Sequence, residues 1–410
     1  MTKKVIVVGG GITGCIVALC LSDKGLNVEI HERASRIGGI LKDLNHGEEK
    51  FFNGCQYLNP EAEWYRKYRK IFDKKIKVFK HKYGSITQNK KYIKISKEYA
   101  LPIFNDNFSY SKFKVKKIKN LEDRFSVYPK KIEKFLKSLV CNWGFDSKKI
   151  DNRTSKNLNL SRVVLDGYEK LSLKLKKNKF DDLIALSRRA RDQNQEFKAA
   201  IPKDGYDDFF KSIKKKLEKN KVKIFFKSNI EPTLAKNKIK ITSYSKNINA
   251  DFVIWTGDPT LLVQIVLKKK LDSLHQKILQ LSFNCKGINK DYIYYQFFSN
   301  TEKILRFFNY TIGNKSKVSI EMIYDKKINL NKIFSTMQKI FFNLKIQKKN
   351  IYKNLGLRYN IVSVNDGKLL DKLEKSKKIK NLICSPFAEH GRDLKIEHIL
   401  KKFNKLCPTK

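Results

Sequence analysis

Residues 5 to 8 are uninterruptedly apolar (Val-Ile-Val-Val), and from Ile12 the apolar positions change to helical spacing, with Ile12, Cys15, Ile16 and Leu19 on one face. The pattern predicts a buried parallel strand followed by a helix. Gly25 marks the end of that helix, and residues 26–32 alternate into a second strand, completing a βαβ unit. A helix is expected over residues 61–75. Between 76 and 200 the chain is rich in lysine and aromatics, with strand-like "YGSIT" and "KKYIKIS" and a helical "KKIEKFLKSLV". Regular patterning returns near residue 201, where Asp204 is a candidate cap for a helix whose apolar face is Phe209, Phe210, Ile213 and Leu217. The strand "VKIFF", a β excursion turning at "KNK", and the buried strand "NADFVIWTGDP" follow. Residues 286–364 read as mixed strands and helices, "KNLICSPF" as a further strand, and "DLKIEHILKKFNKL" as a closing helix. No repeat or low-complexity linker separates these blocks, so two interwoven domains suit the alternation better than two in series.

The turn between the first strand and helix carries Gly9, Gly11 and Gly14 as G-x-G-x-x-G. Gly9 permits a tight turn, Gly11 lets a pyrophosphate approach the backbone, and Gly14 lets helix and strand pack closely. Ile12 and Thr13 share the loop, and their amides lie at the positive end of the helix. Glu32 follows Gly11 by 21 residues at the end of the second strand, where a carboxylate accepts ribose hydroxyls and repels a 2'-phosphate. These residues predict a dinucleotide other than NADP.

Beyond that unit, E-x-x-x-R-x-G-G (Glu32, Arg36, Gly38, Gly39) resembles the flavoprotein superfamily of amine oxidases, protoporphyrinogen oxidases and UDP-galactopyranose mutases. The resemblance implies FAD as the cofactor, with Arg33, Arg36 and the Gly38-Gly39 pair on its pyrophosphate and flavin side. It implies an α/β fold in which a Rossmann-like FAD-binding domain (1–75, 200–285, 365–410) is interleaved with a mixed α+β substrate domain (76–199, 286–364). "FFNGCQYLNP" (51–60) looks like the segment beside the flavin ring, with Phe52 and Gln56 where Asp and His are usual. "IPKDGYDDFFKSI" through "NKVKIFF" is similar to the second FAD block, which implies that Val222 supplies backbone to the adenine side. "ADFVIWTGDP" looks like the family's strand that ends in a small residue and proline, near Thr256 to Pro259, which implies that Thr256 lies at the cofactor. The chain end, "SPFAEHGRDLKIEHIL", departs from the Gly-Asp usual before the last helix.

Composition adds less than it first promises. A formal charge of +48 invites a nucleic-acid or anionic-membrane partner, but the lysines are scattered and accompany abundant Asn, Ile and Phe. A solvated lysine-covered surface explains them, with no specific nucleic acid; peripheral membrane contact stays open. Only 13 of the 88 basic residues are arginine, so each retained guanidinium stands out. Arg188 (with Arg189 and Arg191), Arg306 and Arg358 are candidates to bind a carboxylate or diphosphate substrate, with Tyr57 and Tyr359 as cavity walls and Gln56 and Arg306 as catalytic candidates. Alternatively, Arg188 and Arg306 are plain surface residues and the tyrosines pack in the core. Seven cysteines without a C-x-x-C pair point to free thiols in a reducing cytoplasm. Cys55 and Cys384 read as buried fillers rather than flavin attachment points, and the six histidines show no metal-ligand spacing. No stretch reaches a membrane span, and oligomeric state is not encoded in any visible pattern. The expected activity is hydride transfer from a small or medium organic substrate to flavin, which needs no protein acid or base. The alternative is a mutase-like, flavin-dependent isomerisation of a sugar nucleotide, with surface-glycan biosynthesis as its setting.

Overall fold

The computed structural model describes residues 2–80, 82–88, 93–96, 118–158, 160, 198–272, 275–287, 293–299, 302–341, 343–346, 351–376, 379–388 and 391–408. Five parallel strands form one sheet: β1 (Lys4–Val8), β2 (Asn27–His31), β3 (Lys223–Phe225), β4 (Phe252–Trp255) and β5 (Leu382–Cys384), in the order β5-β4-β1-β2-β3. Among the helices that flank it are α1 (Ile12–Ser22), α2 (Tyr206–Lys219) and α3 (Arg392–Leu406). The sheet thus recruits strands from three separate stretches of chain.

The first helix is buried on more than the expected face. Val17, Ala18, Cys20 and Leu21 are covered as well as Cys15, Ile16 and Leu19, because α1 packs against both α2 and α3. A helix apolar all round is one enclosed on several sides.

A second, larger sheet is built from strands between residues 82 and 360. His275–Lys286 pairs antiparallel with Lys315–Ile323 on one side and Tyr352–Asn360 on the other. Lys315–Ile323 continues to Ile304–Ile312, which pairs antiparallel with Ile293–Ser299, and Ile293–Ser299 in turn pairs in parallel with Lys82–Gln88. His275–Lys286 therefore belongs to this sheet rather than to the Rossmann-like block expected to run to residue 285. The hairpin of Asp43–His46 and Glu49–Phe52 joins the two sheets. Glu49 Oε2 accepts from the buried Lys317 Nζ at 2.6 Å, and Phe52 O accepts from Gln280 Nε2 at 2.7 Å.

The cap of α2 differs from expectation. Its N-cap is Gly205, not Asp204, and Gly205 has no side chain to offer. Asp43 of the joining hairpin supplies the acceptor instead: Oδ1 takes Tyr206 N at 2.8 Å and Oδ2 takes Asp207 N at 3.0 Å. A Cβ on Gly205 would lie 2.2 Å from Asp43 Oδ2, so glycine is required there. Among the described residues no helix is long and apolar enough to cross a membrane.

Burial pushes the Asp43 carboxyl up to about 6, outweighing the two backbone hydrogen bonds that favour its charge. The folded protein therefore keeps this proton above the unfolded value of about 3.9, and stability falls as pH rises from 4 through 6. Relative to Asp43→Asn, the wild type should lose on the order of 2 kcal/mol over that interval. Urea unfolding of both proteins from pH 4 to 7 measures the difference, and parallel curves would contradict it.

Candidate cofactor cleft

Helices α1, α2 and α3 begin at one edge of the parallel sheet. Both α1 and α3 leave the C-terminal ends of strands, while α2 runs back antiparallel into β3 and so starts at the same edge. Each has a glycine N-cap with no side-chain cap: Gly11, Gly205 and Gly391. First-turn amides have no partner within their own helix, and the helix dipole adds positive potential. That edge suits an anion.

The sequence motifs meet there. Gly38 N donates to Gly10 O at 2.8 Å, and Gly38 pairs with Gly11 as an isolated parallel bridge. Glu32 turns its carboxylate onto the same loop, with Oε2 accepting from Gly10 N at 2.6 Å and Oε1 from Ala34 N at 2.7 Å. A Cβ on Gly14 would fall 2.0 Å from Gly9 O, whereas one on Gly11 meets nothing within 4 Å. Gly14 thus closes helix on strand, and Gly11 faces open space. Gly38 takes φ +111°, and a Cβ there would meet Leu41 O at 2.8 Å and the Phe210 ring at 2.9 Å. A Cβ on Gly39 would lie 3.2 Å from the Gly11 Cα.

Other predicted residues take supporting or distant places. Ile12 is buried and Thr13 partly buried on the first turn of α1, while Arg33 is exposed. Arg36 braces the glycine pair, donating from Nη1 to Ile37 O at 3.1 Å and from Nη2 to Gly39 O at 3.3 Å; its Nη1 is 3.7 Å from Asp207 Oδ1. The Thr256 hydroxyl lies between Val8 O and Gly9 O, at 3.0 and 3.1 Å, and fixes the turn from behind. Val222 is not brought to this edge. It precedes β3 at the opposite end of the sheet, and its N–H donates to Leu217 O at 3.0 Å. The segment that reaches Glu32 is the one after β3: Lys227 N donates to Ala34 O at 3.1 Å and Ser228 N to Glu32 O at 3.0 Å.

Gln56, Tyr57 and Arg306 come together at the joint between the sheets. Gln56 Oε1 accepts from Arg392 Nη2 at 3.1 Å. Tyr57 meets Tyr294 edge-on, with ring centroids 6.0 Å apart. Arg306 is engaged internally: Nη1 donates to the Tyr294 hydroxyl at 2.9 Å, and Nε pairs with fully buried Glu321 at 2.9 Å. Glu321 Oε1 in turn accepts from Cys55 N at 3.1 Å. Phe52 stacks on Tyr310 at 4.4 Å and meets Tyr206 edge-on at 5.0 Å, making an aromatic wall. Burial pushes the Cys384 thiol up to about 12, which keeps it protonated and inert. Arg188 lies outside the described residues; Arg358 and Tyr359 stand on the strand Tyr352–Asn360, with side chains outside them. Glu321, Tyr294, Tyr206 and Arg392 were missed. The scarcity of arginine that selected Arg306 applies equally to Arg392, whereas nothing local distinguishes the others.

Residues 7–74 match the model of the NAD(P)-binding Rossmann-like domain. The whole chain superposes on reduced UDP-galactopyranose mutase with a TM-score of 0.67 at 13% identity, covering 99% of this chain and 96% of the other. It is also similar to an oxidoreductase from Methanosarcina mazei (TM-score 0.60, 13% identity, 98% and 100% covered) and to a putrescine oxidase variant (0.61, 9%, all of both chains). At these identities the likeness is one of fold, which the chain shares with all three structures over nearly its whole length. No curated protein matches the chain by sequence.

Removing Arg306 would leave the buried Glu321 carboxylate without its cation. Arg306→Ala is expected to cost about 3–5 kcal/mol in chemical denaturation, and the Arg306→Met/Glu321→Met pair far less. An equal loss in both would mean that the ion pair is not what matters there.

Proposed function

We propose that the protein is an FAD-dependent oxidoreductase that takes a hydride from a small or medium organic substrate. The observation that carries this reading is the open space over Gly11, flanked by the Glu32 carboxylate and the side-chain-free Gly38-Gly39 turn. These residues fit a dinucleotide extended past its diphosphate: a carboxylate for ribose hydroxyls, uncapped amides for phosphate, and a flat glycine turn beyond. Flavin, when bound, supplies the hydride acceptor.

In this reading the chain's own work is placement. Glu32 accepts the ribose hydroxyls, and the amides of Gly11 to Thr13 hold the diphosphate. Arg36 keeps the Gly38-Gly39 turn against the loop. The wall of Phe52, Tyr57, Tyr206, Tyr294 and Tyr310 excludes water from the joint where a substrate carbon would be held. The two sheets then correspond to a cofactor domain and a substrate domain. Seven unpaired thiols, six of them buried, fit a reducing cytoplasm.

A second reading, a mutase-like isomerase of sugar nucleotides, draws on the likeness to reduced UDP-galactopyranose mutase and on Arg306 lying with Gln56 and Tyr57 at the joint. The ion pair to Glu321 weakens it, because that guanidinium is already engaged.

The purified protein is expected to be yellow and to release intact FAD on denaturation, and Glu32→Ala to retain at least tenfold less. A colourless protein that cannot be reloaded, or full retention in Glu32→Ala, removes the basis of the assignment. Dithionite-reduced protein titrated with UDP-galactose separates the two readings. Binding that weakens in Arg306→Lys supports the isomerase, and its absence leaves the oxidoreductase.

A further inference from the structure

Arg392 opens α3, and its Nη2 donates to Gln56 Oε1 at 3.1 Å. Among the described residues its buried Nη1 has no hydrogen-bond partner. The hydroxyl of Tyr206, the first residue of α2, is likewise without a partner in a side chain of 0% exposure. The two side chains are electrostatic neighbours: burial drives the Tyr206 phenol well above its ordinary value, and the Arg392 cation opposes the rise.

Among the described residues, Asp393 and Asp43 are committed elsewhere. Asp393 accepts from Trp64 Nε1 at 2.6 Å and Asn59 Nδ2 at 3.2 Å, and Asp43 caps α2. A guanidinium nitrogen shut away from water without an acceptor is costly, as is a buried phenol with nothing to donate to. Both groups are donors, so the missing partner is an acceptor, and the unbalanced charge asks for an anionic one. Both stand at helix starts, where the dipoles add to the same preference.

We propose that Arg392 Nη1 and the Tyr206 hydroxyl, beside Gln56, form a receptor for one oxyanion, a carboxylate or a phosphate. The oxyanion comes either from the substrate or from the diphosphate of the cofactor. Only the second source rests on the flavin reading.

The test compares wild type, Arg392→Met, Arg392→Lys and Tyr206→Phe in the FAD-loaded protein by calorimetric titration with benzoate and inorganic pyrophosphate, together with the FAD dissociation constant of each. Probe binding that weakens at least tenfold in Arg392→Met and Tyr206→Phe, with FAD affinity kept, assigns the site to a substrate anion. FAD affinity that falls at least tenfold in both, without probe binding, assigns it to the cofactor. In either case unliganded Arg392→Met should melt no lower than wild type, since an unpaired buried charge is removed, and Arg392→Lys should retain part of the binding. Variants that match wild type in FAD affinity and in probe binding would overturn the proposal. So would an Arg392→Met protein that melts lower while binding as before. If the wild type takes up no FAD, the flavin reading falls, and the same probes titrated into the unloaded protein decide the anion site by the same tenfold criterion.

Discussion

The parallel pairing of β1 with β2 and β4 is the constraint on which the rest depends. Parallel strands force every connection to cross back over the sheet, so the attached helices start at one edge and gather their positive ends there. That edge must then be balanced. At α2 the balance is internal, through the Asp43 carboxylate. At α1 it is left open, since Gly11 brings neither a capping oxygen nor a Cβ.

Close backbone approach is the second consequence. The Gly38-Gly39 turn lies so near the first loop that a Cβ on Gly39 would sit 3.2 Å from the Gly11 Cα, and Glu32 satisfies Gly10 N from the flank, where a Cβ on Gly10 would meet it at 3.1 Å. The turn and loop are thus joined by the protein's own hydrogen bonds, and a backbone already held in place lowers the ordering cost of binding a ligand.

The joint between the sheets follows a different logic. Lys317 with Glu49, Arg306 with Glu321, and Gln280 with the Phe52 carbonyl are polar pairs inside an aromatic environment. Such pairs add little net stability over apolar packing, but breaking one is expensive, so they hold residues 49–57 in a single register between the sheets. Gln56 and Tyr57 owe their positions to that register.

Much of the Rossmann-like half was legible in the sequence because its signals are local. A run such as Val5–Val8, glycines at fixed spacing, and a carboxylate at a strand end each encode their own backbone demand. The turn at Lys236-Asn237 was legible for the same reason, both residues taking positive φ (46° and 61°). The contacts made at long range were not. Asp43 capping a helix 163 residues away, Arg306 engaged by Glu321, and Val222 falling at the far end of the sheet depend on how two sheets meet. No spacing along the chain records that meeting. The sequence by itself determined where helix, strand and turn close on one another at the edge of the parallel sheet, through Gly9, Gly14 and Gly38, where a Cβ would collide. Only the tertiary structure decided which charges around that place are already satisfied and which, as at Arg392, are not.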